Sequence, residues 1–149
     1  MNEVYKAINY KETENNKDKI KIEHCFAYIE VESNYLINLL HLVIQKIIDS
    51  GFQEELSFGP IIEGSTYSNE AGEVTEDNYI RINSKRLIKY EDDVAMAIIA
   101  HELAHSFLKH FERYGKGLEN EYEADNLAKE WGFAIDKFRK VCGPPTIQG

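Results

Sequence analysis

Residues 96–111, MAIIAHELAHSFLKHF, decide both the fold and the site, because they carry His101-Glu102-Leu103-Ala104-His105. On an α-helix, residues four apart lie one turn above each other on the same face. His101 and His105 therefore point two imidazoles at one ion, and Glu102 brings a carboxylate to the rim of the same site. That geometry suits zinc held by nitrogen ligands, with a carboxylate beside an activated water.

An HExxH pattern is by itself only moderately specific, and an amphipathic helix with two histidines on one face is the bland alternative. The surrounding residues weigh against it. Val94, Ala95, Ala97, Ile98, Ile99, Ala100, Leu103, Ala104, Phe107, Leu108 and Phe111 make the helix apolar nearly all round, as in a buried helix. Two imidazoles and a carboxylate inside such a helix need partners, since uncompensated burial of charge is costly. A metal ion supplies one.

The rest of the chain sets the frame. A length of 149 residues fits one domain with a real core, and 43% hydrophobic with 29% charged residues is ordinary soluble composition. The longest apolar run, Val94 to Ala100, is too short to span a bilayer. Residues 1–19 are polar and charged with no apolar signal core, so they are expected to form a flexible arm, and the protein is expected in the cytoplasm. A net charge of −9 argues against nucleic acid as a partner. Cys25 and Cys142 match no metal spacing and are expected to be free thiols.

Outward from the motif, the patterning predicts an α+β domain, a small twisted sheet packed on the buried helix with further helices around it. Lys19 to Val31 alternates in part and reads as a strand. Ser33 or Asn34 caps a helix whose apolar positions run from Leu36 to Ile48, with Gly51 closing it. Leu56 to Ile62 reads as a short strand edged by Pro60, and Gly64 to Asn78 as a turn-rich connection. Tyr79 to Asn83 alternates as a strand. Glu91, Asp92 and Asp93 put acidic residues in the first turn of the motif helix, where its dipole favours them. A further helix is expected over Glu119–Trp131, with Tyr122, Leu127, Ala128 and Trp131 on its buried face, and a last one to about Val141. His24 and His41 read as ordinary surface or core-edge histidines.

A tetrahedral catalytic site wants a third protein ligand and an open position. Glu119, Glu121, Glu123 and Asp125 open the next helix, and Glu121 and Asp125 share a face, so both can look toward the motif helix. In Glu121-Tyr122-Glu123-Ala124-Asp125, the chain resembles gluzincin metallopeptidases, whose HExxH is followed by a helix bearing a glutamate ligand. The likeness extends through NYIRINSKRLI and EDDVAMAIIAHELAH, from roughly Tyr79 to Gly132. It is similar to the CAAX prenyl protease family in its soluble, minimal minigluzincin form. That resemblance implies a single zincin-like domain, one zinc per chain held by His101, His105 and Glu121, and Asp125 as the acceptor that orients a ligand histidine, or as the alternative ligand. It departs in lacking the membrane helices of that family. The short gap from His105 to Glu121 is closer to ImmA/IrrE-type metallopeptidases, although no helix-turn-helix signal accompanies it. A helix running on from His105 to Tyr114 overshoots the site by roughly 13 Å, and residues 115–121 have to bring the chain back over about 23 Å at most.

The expected activity is zinc-dependent peptide hydrolysis of a peptide or protein substrate, with Glu102 as general base. No histidine follows His110, which leaves Tyr122, Tyr114 and Arg113 as guesses for a group that helps stabilise the oxyanion. Tyr79 to Asn83 is a candidate sheet edge for an extended peptide, or equally a plain core strand. The alternatives are a zinc-binding regulatory protein without hydrolytic activity, and an ImmA/IrrE-type protease of one repressor.

Overall fold

Ser33 starts the first long helix, its hydroxyl accepting from the Leu36 N–H at 3.2 Å, which satisfies one of the donors a helix start leaves open. In the computed structural model, which describes residues 22–112 and 117–146, this helix is α1 (Asn34–Asp49). Gly51 follows with φ +87°, the left-handed conformation that ends a helix cheaply only at glycine. Leu36, Ile37, Leu39, Leu40, Val43, Ile44 and Ile47 are buried along α1 while Leu42 is 52% exposed. Each such buried aliphatic side chain contributes about 1.5–3 kcal/mol.

Four short strands follow the order β1-β2-β4-β3. They are β1 (Ile29–Glu30), β2 (Ile61–Glu63), β3 (Gly72–Val74) and β4 (Ile80–Ile82). β1 and β2 are parallel, as are β2 and β4, with Ile61 opposite Ile80 and Glu63 opposite Ile82. β3 runs antiparallel to β4, Gly72 opposite Ile82. Ile29, Ile61, Ile80 and Ile82 are fully buried, so the sheet turns an isoleucine face to the helices. Asn83 then caps the single turn α2 (Ser84–Leu87). The motif helix is α3 (Asp92–Phe107), followed by a 3₁₀ turn at His110–Glu112, α4 (Gly117–Glu130) and α5 (Ile135–Cys142). α3 packs against α1, β3, β4, α4 and α5 and is the centre of this α+β domain.

Glu63 ties three elements together. Its carboxylate accepts from the Glu32 and Ser33 N–H groups and from the hydroxyls of Ser33 and Ser84. Burial raises its pKa, and those hydrogen bonds more than reverse the effect, leaving it below the usual glutamate value. The end of β2 is thereby pinned to the starts of α1 and α2. Among the described residues no helix is long and apolar enough to cross a membrane.

The structure corrects several expectations. The strand expected over Lys19–Val31 is, where described, a 3₁₀ turn at Ile22–His24 and two residues of β1. Leu56 to Pro60 is irregular apart from a Phe26–Phe58 bridge, and β2 begins only after the proline, which has no N–H to give a ladder. The connection 64–78 contains β3, too short and too glycine-led for alternation to reveal. β4 is an interior strand rather than a sheet edge, because β3 covers its far side. Alternation reports which face a residue takes and says nothing about the strand's neighbours. α3 stops at Phe107 instead of running on to Tyr114, and Lys109 takes φ +58° to reverse the chain. α4 starts at Gly117, and Tyr122 on it is 52% exposed rather than buried. The arm expected at residues 1–19 lies outside the described residues.

Candidate metal centre

Between Val94 and Ser106 every residue of α3 except Met96 is buried. The helical spacing sets the His101 and His105 rings 4.5 Å apart centre to centre, with their Nε2 atoms 3.1 Å from each other. α4 crosses here and delivers Glu121 from twenty residues away. Its Oε1 lies 3.1 Å from His101 Nε2 and its Oε2 2.9 Å from His105 Nε2. Three ligand-type groups thus converge, each with an atom within about 3 Å of the next. Adjacent ligands of a tetrahedral zinc with bonds of 2.0–2.1 Å stand about 3.3 Å apart, so this donor set needs to open by only a few tenths of an ångström to hold such an ion. Ending α3 at Phe107 removes the overshoot that made the short gap to Glu121 a difficulty.

Glu102 has a ligand-type oxygen within 4.8 Å of the ring nitrogens of His101 and His105, yet Glu121 is the closer carboxylate and touches both rings. Glu102 turns instead toward Gly72 on β3. A methyl carbon at Gly72 would sit 2.9 Å from Glu102 Cγ and 3.3 Å from its Oε2, so no larger residue fits between strand and carboxylate. Burial pushes the Glu102 carboxyl up to about 8; attraction to His101 opposes the rise, and Glu121, Glu70 and Glu73 add to it.

The imidazoles are held from behind. Asp125, one turn beyond Glu121, places Oδ1 2.8 Å from His101 Nδ1. Arg139 of α5 grips the same carboxylate with Nε at 2.8 Å from Oδ2 and Nη2 at 2.9 Å from Oδ1. With Nδ1–H committed to Asp125, Nε2 of a neutral His101 presents its lone pair to the centre. Behind His105, Nδ1 lies 2.8 Å from His110 Nδ1, and His110 Nε2 lies 2.9 Å from Glu123 Oε1. Burial alone would lower the His101 pKa; its bonds to Asp125 and Glu121 outweigh that and raise it to about 9, so without a metal a proton holds the two carboxylates together. His105 is lowered by burial, against the pull of Glu121. Glu121 and Asp125 are raised by burial but lowered more by their histidine partners, and both stay ionised.

The centre opens on a cavity of about 580 Å³ between β3, the residues after α2, and α5. Gly72, Tyr90, Ile98, Phe138 and Arg139 line it beside the two histidines, Glu102 and Glu121. His101, Glu102, His105, Glu121 and Asp125 are therefore all brought together. His24 and His41 are not: they lie before and on α1. Tyr122 does not line the cavity, and Arg113 and Tyr114 lie outside the described residues. Gly72, Tyr90, His110 and Arg139 were missed in the sequence, where Glu123 figured only as one of the acidic residues opening α4. Of these only His110, five residues after His105, carried a local signal. No family model, curated protein or solved structure matches this chain.

Proposed function

We propose that this chain is a zinc-dependent metallopeptidase of gluzincin type, resembling the minigluzincins, with a zincin-like fold. The observation that carries the reading is the convergence of His101, His105 and Glu121 at about 3 Å, with the Glu102 carboxylate beside them at an open cleft. His101, His105 and Glu121 would hold the zinc. When bound, zinc supplies Lewis acidity that acidifies water and polarises a carbonyl. Glu102, buried beside the two histidines, takes the proton of the attacking water and returns it to the leaving amine. Asp125 and Arg139 keep the His101 ring oriented while charge moves. β3 lies at the edge of the sheet with Gly72 against Glu102, so an extended peptide added along β3 brings its backbone past the carboxylate. In this reading the protein works in the cytoplasm, where free Cys25 and Cys142 stay reduced.

The test uses metal analysis of the purified chain together with cleavage of an unfolded protein substrate. The parent should carry one zinc and cleave, and a strong chelator should stop it. Glu102→Gln should keep its zinc and its thermal denaturation midpoint while cleavage falls by about 10²–10⁴-fold. A zinc-loaded parent that cleaves nothing across a broad peptide library is a binding protein, and the peptidase reading is then lost.

A further inference from the structure

We propose that His110 is a positioning residue for His105, accepting its Nδ1 hydrogen and passing the pull of Glu123 to the metal-facing nitrogen. The inference rests on the zinc reading above. His105 Nδ1 and His110 Nδ1 are 2.8 Å apart, and both groups are buried. Two imidazole nitrogens at that distance share one hydrogen, so one ring donates and the other accepts. His105 can offer its Nε2 lone pair to a metal only if it carries the hydrogen on Nδ1. His110 must then accept at Nδ1 and hold its own hydrogen on Nε2, 2.9 Å from the Glu123 carboxylate, which accepts it. Glu123 thereby fixes the tautomer of His110, and His110 fixes that of His105.

The local fold is built for this contact. Residues five apart on a continuous helix lie on different faces, so His110 could not reach His105 if α3 ran on. The helix instead stops at Phe107, and Lys109 adopts φ +58°, a conformation unusual outside glycine. That turn folds His110 back with its ring centre 5.0 Å from that of His105. The two zinc-facing imidazoles are thus supported differently, His101 by a carboxylate directly and His105 by a carboxylate acting through a second imidazole.

The test measures zinc affinity of the metal-depleted full chain by competition with a chromophoric chelator. His110→Phe keeps a ring but removes the acceptor, and should weaken binding about 10–100-fold. His110→Gln supplies a carbonyl for His105 and an amide N–H for Glu123, and should recover most of the loss. A role in packing alone gives the opposite order, with Phe tolerated better than Gln. In the zinc-loaded parent and in His110→Gln, NMR should show a slowly exchanging His105 Nδ1 hydrogen that His110→Phe loses. Equal affinity in the parent and His110→Phe overturns the proposal, as does a Gln variant no better than Phe. If His110→Phe fails to fold, absence of that hydrogen signal in the zinc-loaded parent overturns it alone. A parent that binds no more zinc than His101→Ala overturns the metal reading as well, and is distinguishable because every variant then behaves alike.

Discussion

Helices α1 and α3 are both sixteen residues long and both largely aliphatic, α1 through leucine and isoleucine and α3 through alanine and isoleucine, yet they are stabilised in different ways. α1 buries one face, leaves the other to solvent, and has a serine cap at its start. Its organisation is local, since each apolar side chain needs only an apolar neighbour. α3 is buried nearly all round and starts without a side-chain cap. The polar groups inside it depend on residues brought in from far along the chain: Glu121, Asp125 and, against Glu102, Gly72. A helix of the first kind is a packing element. In the second kind, burial of unpaired polar groups would be destabilising, so the same contacts that hold the fold also shape the site.

The comparison is broken most severely at Glu121. Glu121→Ala removes a carboxylate that touches both rings, so zinc retention should fall by more than about 100-fold, whereas Asp125→Ala should cost about 10–100-fold. Chelator competition checks both, and the reverse order would make Asp125 the ligand. Leu40 of α1 should behave in the opposite manner. It is 1% exposed, and Leu40→Ala should cost about 2–5 kcal/mol in urea unfolding while leaving the zinc affinity of the folded protein unchanged. A loss of affinity in that variant would mean the two helices are not separable.

A smaller effect is expected from pH, and only in α3. The His101 pKa is raised to about 9 in the metal-free protein, so its contribution to stability is complete below about 6.5 and is lost as pH rises through 9. Glu102 is raised to about 8; its ionised form is disfavoured by burial, so it too makes the metal-free fold less stable as pH rises from about 4.3 toward 8. Both signs agree. The metal-free denaturation midpoint should fall between pH 6.5 and 9, and apparent zinc affinity should rise over the same interval because the ion replaces the proton on His101. A metal-free midpoint that climbs with pH would contradict the assigned His101–Asp125–Glu121 contacts.

Much of this was legible in the residues. The period of α1, its Ser33 cap and Gly51 stop are local signals, and they read correctly. His101, Glu102 and His105 were legible for the same reason, because a spacing of four on a helix is itself a geometric statement. Glu121 and Asp125 followed from the same spacing on α4 together with a family resemblance, and the structure brings Glu121 to both histidines and Asp125 to His101. Neighbours across the sheet were not legible. Three-residue strands carry too few positions for a period, so β3 was hidden in a polar connection and β4 read as a possible edge.

What the sequence by itself determined is which side chains share a face: the apolar stripe of α1, the two imidazoles of α3, the two carboxylates of α4. Only the tertiary structure decided which faces meet. It ended α3 at Phe107, folded His110 beneath His105 through the left-handed Lys109, set Gly72 against Glu102 and brought Arg139 to Asp125. The physical reason is one of range. Helical periodicity and caps are fixed by backbone bonds within a few residues, whereas the partner of a buried polar group is whichever element the packed core carries past it.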